Sequence, residues 1–270
     1  LCSNTTGSRN TATGYNALYY NVGGGSNVAI GHEALYRNNA SYNVAVGDSA
    51  LYENQNGGNN TAIGHGALFQ NTASNNTAIG FEALFYNESG HDNTAIGYLA
   101  LRGSDNHSAQ YNVAIGNGAL TNTHHSSYNV AIGCSGLYNN QLGTYNVAVG
   151  HNALFTNNDN KNIAIGYQTL YNNYSGSDNI AIGHRAGYNN GSNLSNTICI
   201  GTNTSATHSG EIVLRDRTKF LMDSSGNLNI GGNISATGNI TAYSTSDIRL
   251  KNNLKKIENS LEKIKKINGY

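Results

Sequence analysis

The pentapeptide Asn-x-Ala-x-Gly ends at Gly14, Gly31, Gly47, Gly64, Gly80, Gly97, Gly116, Gly133, Gly150, Gly166 and Gly183, and a looser copy, NTICIG, ends at Gly201. Successive glycines lie 16 to 19 residues apart. Recurrence on this scale marks a repeat architecture, in which each unit buries its apolar face only against its neighbours. Units this short exclude paired helices, which need more than about 30 residues each. The segment NVAIG alternates instead, with Val and Ile on one side and Asn and Ala on the other, which is the strand period. One short strand and a turn-rich return per unit make one coil of a parallel β-solenoid. Coils stacked at the strand spacing of about 4.8 Å give twelve turns a length of roughly 55–60 Å.

The columns of the repeat acquire physical roles in such a stack. Ala stands two residues before the glycine in the first eleven copies, from Ala12 to Ala181, where a narrow coil leaves space for one methyl. Val or Ile stands just before the glycine, Thr13 of the first copy excepted, and Leu four residues after it from Leu18 to Leu170; stacked Val, Ile and Leu are expected to form the apolar core. Glycine ends the strand because it alone tolerates many positive-φ conformations. Asn seven residues after it, as in Asn21, Asn38, Asn54 and Asn71, is expected to pass amide hydrogen bonds from coil to coil. Length varies between that Asn and the next strand, as in residues 104–111, so these segments read as surface loops. Aromatic residues five after the glycine, such as Tyr19, Tyr36, Phe69 and Phe85, would leave a stripe down one side of a coil with little core. Such a stripe, with the Val/Ile column as the other candidate, reads as an oligomer interface.

Composition narrows the classes. Only 11% of the 270 residues are charged and the formal net charge is zero, well below the charge of an ordinary globular domain. No apolar run approaches the roughly 18 residues that span a membrane. The 18 Tyr at fixed places argue against disorder. Cys2, Cys134 and Cys199 are too widely spaced for a zinc or disulfide framework. His32, His65, His151 and His184 each follow a repeat glycine, but not on adjacent coils, so no metal site is expected. No phosphate-binding loop and no calcium nonapeptide occurs, and no cofactor is implied.

Beyond residue 201 the pattern changes. Residues 202–245 alternate in short strands, such as Leu228 with Ile230 and Ile234 with Ala236, separated by SSGN, GGN and TGN turns. Each strand has one apolar face, so this stretch reads as a β neck intertwined with sister chains. From Ser246, Leu250, Leu254, Ile257, Leu261 and Ile264 step by four and three, a heptad seam on a helix. Residues 246–270 hold seven Lys/Arg against three Asp/Glu. With one aromatic among them, they read as a solvated helix face and not as a nucleic-acid surface. The organisation expected is thus a repeat domain over 1–201, a neck over 202–245 and a helical segment over 246–270.

NTAIGxxAL resembles the head repeats of trimeric autotransporter adhesins, and is similar to repeats of phage tail-fibre proteins. The resemblance covers residues 10–201 and implies a left-handed parallel β-roll packed as a homotrimer. SDIRLKNNLKKI, from Ser246, resembles the start of the intramolecular chaperone auto-processing domain of phage tail spikes and endosialidases. That resemblance implies Ser246 as nucleophile, Lys251 as its base and the bond between Thr245 and Ser246 as the substrate of a single-turnover cut. A serine hydroxyl needs such a base, and desolvation can bring a lysine into range. Five residues of helix turn through about 140°, which points the two side chains apart. Ser246 must therefore precede the helix, or Lys251 must act on another chain. Ser246 as a simple helix cap is the competing reading.

The expected function is a structural virion fibre or spike, extracellular, that attaches to a host-surface receptor or glycan and contacts other fibre proteins. A bacterial surface adhesin and an ice-binding solenoid are the alternatives. The latter needs a Thr ladder, and Thr61, Thr77 and Thr94 share their column with Val28, Val130 and Ile163.

Overall fold

A computed structural model describes residues 2–104, 108–190 and 193–214. They form an all-β parallel solenoid whose strands are three residues each: β1 (Thr11–Thr13), β2 (Val28–Ile30), β3 (Val44–Val46), β4 (Thr61–Ile63), β5 (Thr77–Ile79), β6 (Thr94–Ile96), β7 (Val113–Ile115), β8 (Val130–Ile132), β9 (Val147–Val149), β10 (Ile163–Ile165), β11 (Ile180–Ile182), β12 (Ile198–Ile200) and β13 (Ile212–Leu214). They lie in one sheet in chain order. Every pair is parallel and in register, so Ala12 faces Ala29 and Ala164 faces Ala181. The stack takes in one strand more than the twelve glycine copies, because β13 pairs with β12.

The core differs from the expected one. The middle residue of the strand faces inward, and from Ala29 to Ala181 every such Ala is fully buried. The flanking Val, Thr and Ile point outward and are half-buried or exposed. The interior is completed by the Leu column and by a second alanine column one residue before it, including Ala34, Ala50, Ala67 and Ala83. The branched residues are excluded for a reason of size. Leu and two alanines from each coil already close its cross-section, and a Val or Ile in place of Ala95 or Ala114 would overpack it.

The Leu column pays for its place in backbone strain. Leu35, Leu51 and Leu101 have φ of 52°, 52° and 49°, in the left-handed region that costs an L-residue roughly 1–2 kcal/mol. Burying the side chain returns about 1.5–3 kcal/mol, and the strained N–H is not wasted. Leu35 donates to the Ala50 carbonyl and Leu51 to that of Ala67, both at 3.0 Å. The turn segments are therefore bonded from coil to coil much as the strands are.

Two asparagine ladders run through the interior. In the column just before the strand, each Asn accepts a backbone N–H from the next coil on its Oδ1. Asn43 donates to Asn27, Asn60 to Asn43 and Asn76 to Asn60, at 2.9, 2.9 and 2.8 Å. The column seven after the glycine links side chain to side chain, as expected: Asn38 to Asn21, Asn54 to Asn38 and Asn71 to Asn54, at 2.9, 2.9 and 2.8 Å. This second ladder stops after Asn87, since exposed Ser104 and then Thr123 occupy the column on the next two coils. The Asn87 Oδ1 is consequently buried without a partner. The ladder resumes between Asn140 and Asn157.

Candidate functional site

Thr245, Ser246 and Lys251 lie outside the described residues, as do the stretches expected to form the neck and the heptad helix. The described residues do hold the histidine column, and each histidine is engaged with a neighbour. His32 lies parallel to Tyr15 at 5.6 Å, and its Nδ1 is 3.4 Å from the Asp48 carboxylate. His65 stacks on Phe81 at 5.1 Å. His151 and His184 stack on the two sides of Tyr167 at 5.4 and 5.2 Å. Among the described residues no group of three or more His, Cys, Asp or Glu is placed to hold a metal ion. Cys2 and Cys134 are exposed, Cys199 is buried, and all three are free.

The aromatic column five after the glycine forms a stacked ladder. Tyr36, Tyr52, Phe69 and Phe85 follow one another at 4.9, 5.0 and 4.9 Å with rings nearly parallel. Arg102 takes the next place, its guanidinium 5.6 Å from the Phe85 ring and its Nε 2.7 Å from Glu82. Partial burial works to lower the Arg102 pKa, but the hydrogen bond and charge of Glu82 outweigh it and hold the pKa above its ordinary value. Partial burial, followed by a hydrogen bond with Tyr20, pushes the Tyr36 phenol up to about 12. A second run, from Tyr138 through Phe155 and Tyr171 to Tyr188, follows the break. The column is half-buried, and within each run the ring faces are covered by the rings above and below. Each contact contributes about 0.5–1.5 kcal/mol beyond its buried area. The ladder braces the coils and leaves mainly ring edges to a partner, which corrects its reading as an open contact stripe.

The outer strand face has no such cover. Ile30, Ile63, Ile96, Ile132, Ile165 and Ile182 are each 36–42% exposed, and Val, Thr or Ile lines the parallel column two residues before them. Thr occupies that column in β1 and in β4 to β6, with Val or Ile in the other strands, so the face is aliphatic overall and not a continuous hydroxyl array. Thirteen strands of three residues span about 58 Å by about 10 Å, or roughly 600 Å². That is the upper end of the apolar patch a monomer leaves to water. Alternation makes this face visible in the sequence, but it does not say which of the two faces is inside.

A shallow groove of about 390 Å³ is lined by Tyr20, Arg37, Asn38, Asn39, Gln55 and Asn56. Arg37 is occupied by Glu53 at 3.2 Å, and the groove presents mainly amides. Among the described residues no helix is long and apolar enough to cross a membrane. No family model matches the chain and no curated protein matches its sequence.

Proposed function

We propose that the chain is a shaft subunit of a trimeric attachment fibre, in which the outer Val/Ile faces of three copies pack around a common axis. The observation that carries this reading is the flat apolar face running the length of the solenoid. Covering about 600 Å² per copy is worth at most about 15 kcal/mol. It approaches the roughly 800 Å² that each partner contributes to a standard interface. Three copies, as opposed to two, follow from the resemblance to adhesin heads and tail fibres. Host-surface recognition then falls to the loops that vary in length between coils, residues 104–111 among them, with a receptor or glycan as partner and the virion or cell exterior as location.

Charging the outer face tests the reading. Ile115→Lys with Ile132→Lys should convert the oligomer into a monomer by light scattering while the β circular dichroism stays unchanged, because neither side chain is in the core. An oligomer that survives both substitutions rules out this face as the interface. The same reading makes residues 246–270 a folding clamp that is cut off between Thr245 and Ser246. Mass spectrometry of the mature chain should then find a C-terminus at Thr245, and Ser246→Ala should retain the full mass. Equal masses for the two proteins would leave Ser246 without a processing role.

A further inference from the structure

The outer face is flanked at the two ends of its strands by exposed columns, and of the four charges in the column before the strand only Asp92 has an ion-pair partner, His91 at 2.6 Å. Arg37, Arg102 and Arg185 are each held within the solenoid, by Glu53, Glu82 and Gln168 respectively. The other two basic residues among those described, Arg9 and Lys161, are exposed and make no ion pair there. Both occupy the column two residues before the strand, as does exposed Asp178. The column after the strand, one residue past the glycine, carries Tyr15, Tyr167 and His184 on those same coils. The two columns sit at the two ends of the strand, the first in the left-handed conformation, with Lys161 at a φ of 58° and Asp178 at 57°. Asn179 and Ala181 are fully buried between Asp178, Ile180 and Ile182.

We infer that these flanking residues set the register between neighbouring copies, with each coil meeting the coil of the same number next door. The inference rests on the side-by-side assembly proposed above. In a closed cyclic assembly the copies stand at one height and the contact is head-to-tail, so the tilt of the strands against the axis decides which coil numbers meet. The end of each strand on one copy therefore meets the start of a strand on the next. At zero offset Arg9 meets Tyr15, a cation against a ring; Lys161 meets Tyr167, whose two ring faces are covered by His151 and His184, at the phenol oxygen, which accepts a hydrogen bond from the ammonium; and Asp178 meets His184, a carboxylate against an imidazole. Offset by one coil in one direction, Lys161 meets His184 and Arg9 meets His32. Offset the other way, Lys161 meets His151. Only the zero offset gives all three charges a favourable neighbour and sets no cation against a histidine. Apolar columns that repeat every coil cannot make this choice, since Val on Ile looks alike at each step. Rim charges discriminate between registers even where they add little affinity.

A native thiol allows a direct test. Cys134 is exposed in the column after β8, and Tyr128 starts the same coil. The extended residues Val130–Ile132 lie between them and keep them more than about 10 Å apart within one copy, beyond the roughly 7 Å that a disulfide spans between Cα atoms, so a disulfide joining these positions must link two copies. In the full-length chain carrying Cys2→Ser, Tyr128→Cys should give a covalent oligomer under mild oxidation, seen on non-reducing gels. Tyr111→Cys and Tyr145→Cys, one coil to either side, should remain largely uncrosslinked. Preferential crosslinking of either neighbour overturns the register. Assembly by light scattering without crosslinking in any variant overturns the head-to-tail rim while leaving the oligomer intact. A monomeric parent refutes both this inference and the function on which it rests. In a second arm, Asp178→Lys should weaken assembly about tenfold, and adding His184→Asp to the same chain should restore it. Failure of that rescue removes the Asp178–His184 contact.

Discussion

Gly97→Ala is expected to destroy cooperative folding of the central coils. Gly97 has a φ of +138°, in a region essentially reserved for glycine, where other residues are strained by about 1–3 kcal/mol. A Cβ built there would lie 2.4 Å from the Gly116 oxygen and 2.7 Å from its carbonyl carbon. Neither coil can retreat. Gly97 donates its N–H to Ile79 below and Gly116 donates its own to Ile96, both at 2.8 Å, which fixes the spacing. Strain and clash together should exceed about 4 kcal/mol, the range reserved for exceptional single substitutions. Denaturant unfolding followed by circular dichroism measures it. Gly136→Ala is the control. Gly136 stands in the column filled elsewhere by Ala34 or Ala67, and its added Cβ meets nothing closer than 3.8 Å. That change should be neutral or stabilise by about 0.5–1 kcal/mol. If both variants unfold alike, close approach at Gly97 is not what the repeat glycine serves.

Asn129→Ala should cost nearly as much, through hydrogen bonding alone. Asn129 is fully buried. Its Nδ2 donates to the Gly143 carbonyl at 2.9 Å, and its Oδ1 accepts the Asn146 backbone N–H at 2.9 Å. Alanine leaves that carbonyl and that N–H without partners in a coil too narrow to admit water freely. At about 1–3 kcal/mol for each orphaned group, the expected loss is about 3–5 kcal/mol. Because each coil contacts only its neighbours, the damage should be felt locally. Amide exchange should accelerate first around β8 and β9, before it does so near β2. Uniform protection along the rod, with unchanged stability, would mean that the ladder contributes no more than surface polar contacts do. Asn87 is the natural comparison. Its Oδ1 already lacks a partner, so Asn87→Ala should cost less than Asn129→Ala, having fewer bonds to lose.

Much of this molecule is readable from its letters, because a repeat states the same constraint a dozen times. The glycine interval specifies a solenoid, the Ala column a narrow interior and the Asn column a ladder, and each of these stands in the structure. The histidines were legible as a column, but their partners are one coil away and seventeen or so residues distant in sequence. The stacking of His151 and His184 on Tyr167 was therefore missed, though Tyr and His alternating at one offset from the glycine would have signalled it. The second alanine column is equally visible, as the AL dipeptide of most units.

What the sequence by itself determined is the period, the parallel in-register pairing and the identity of the two faces of each strand. Those follow from local chemistry: alternation is a property of the backbone, and glycine and asparagine answer needs of the chain within a coil or between two. Which face lies inside was decided only by the tertiary structure. Hydrophobicity alone favours Val and Ile for the interior, whereas the Ala column favours a coil with space for one methyl, and the structure bears out the second. The coil closes around Leu with two alanines, and its cross-section is set by how the turns, with their left-handed leucines, bond to the next coil. In that space a methyl fits and a branched side chain does not, and the larger apolar residues are left on the outside.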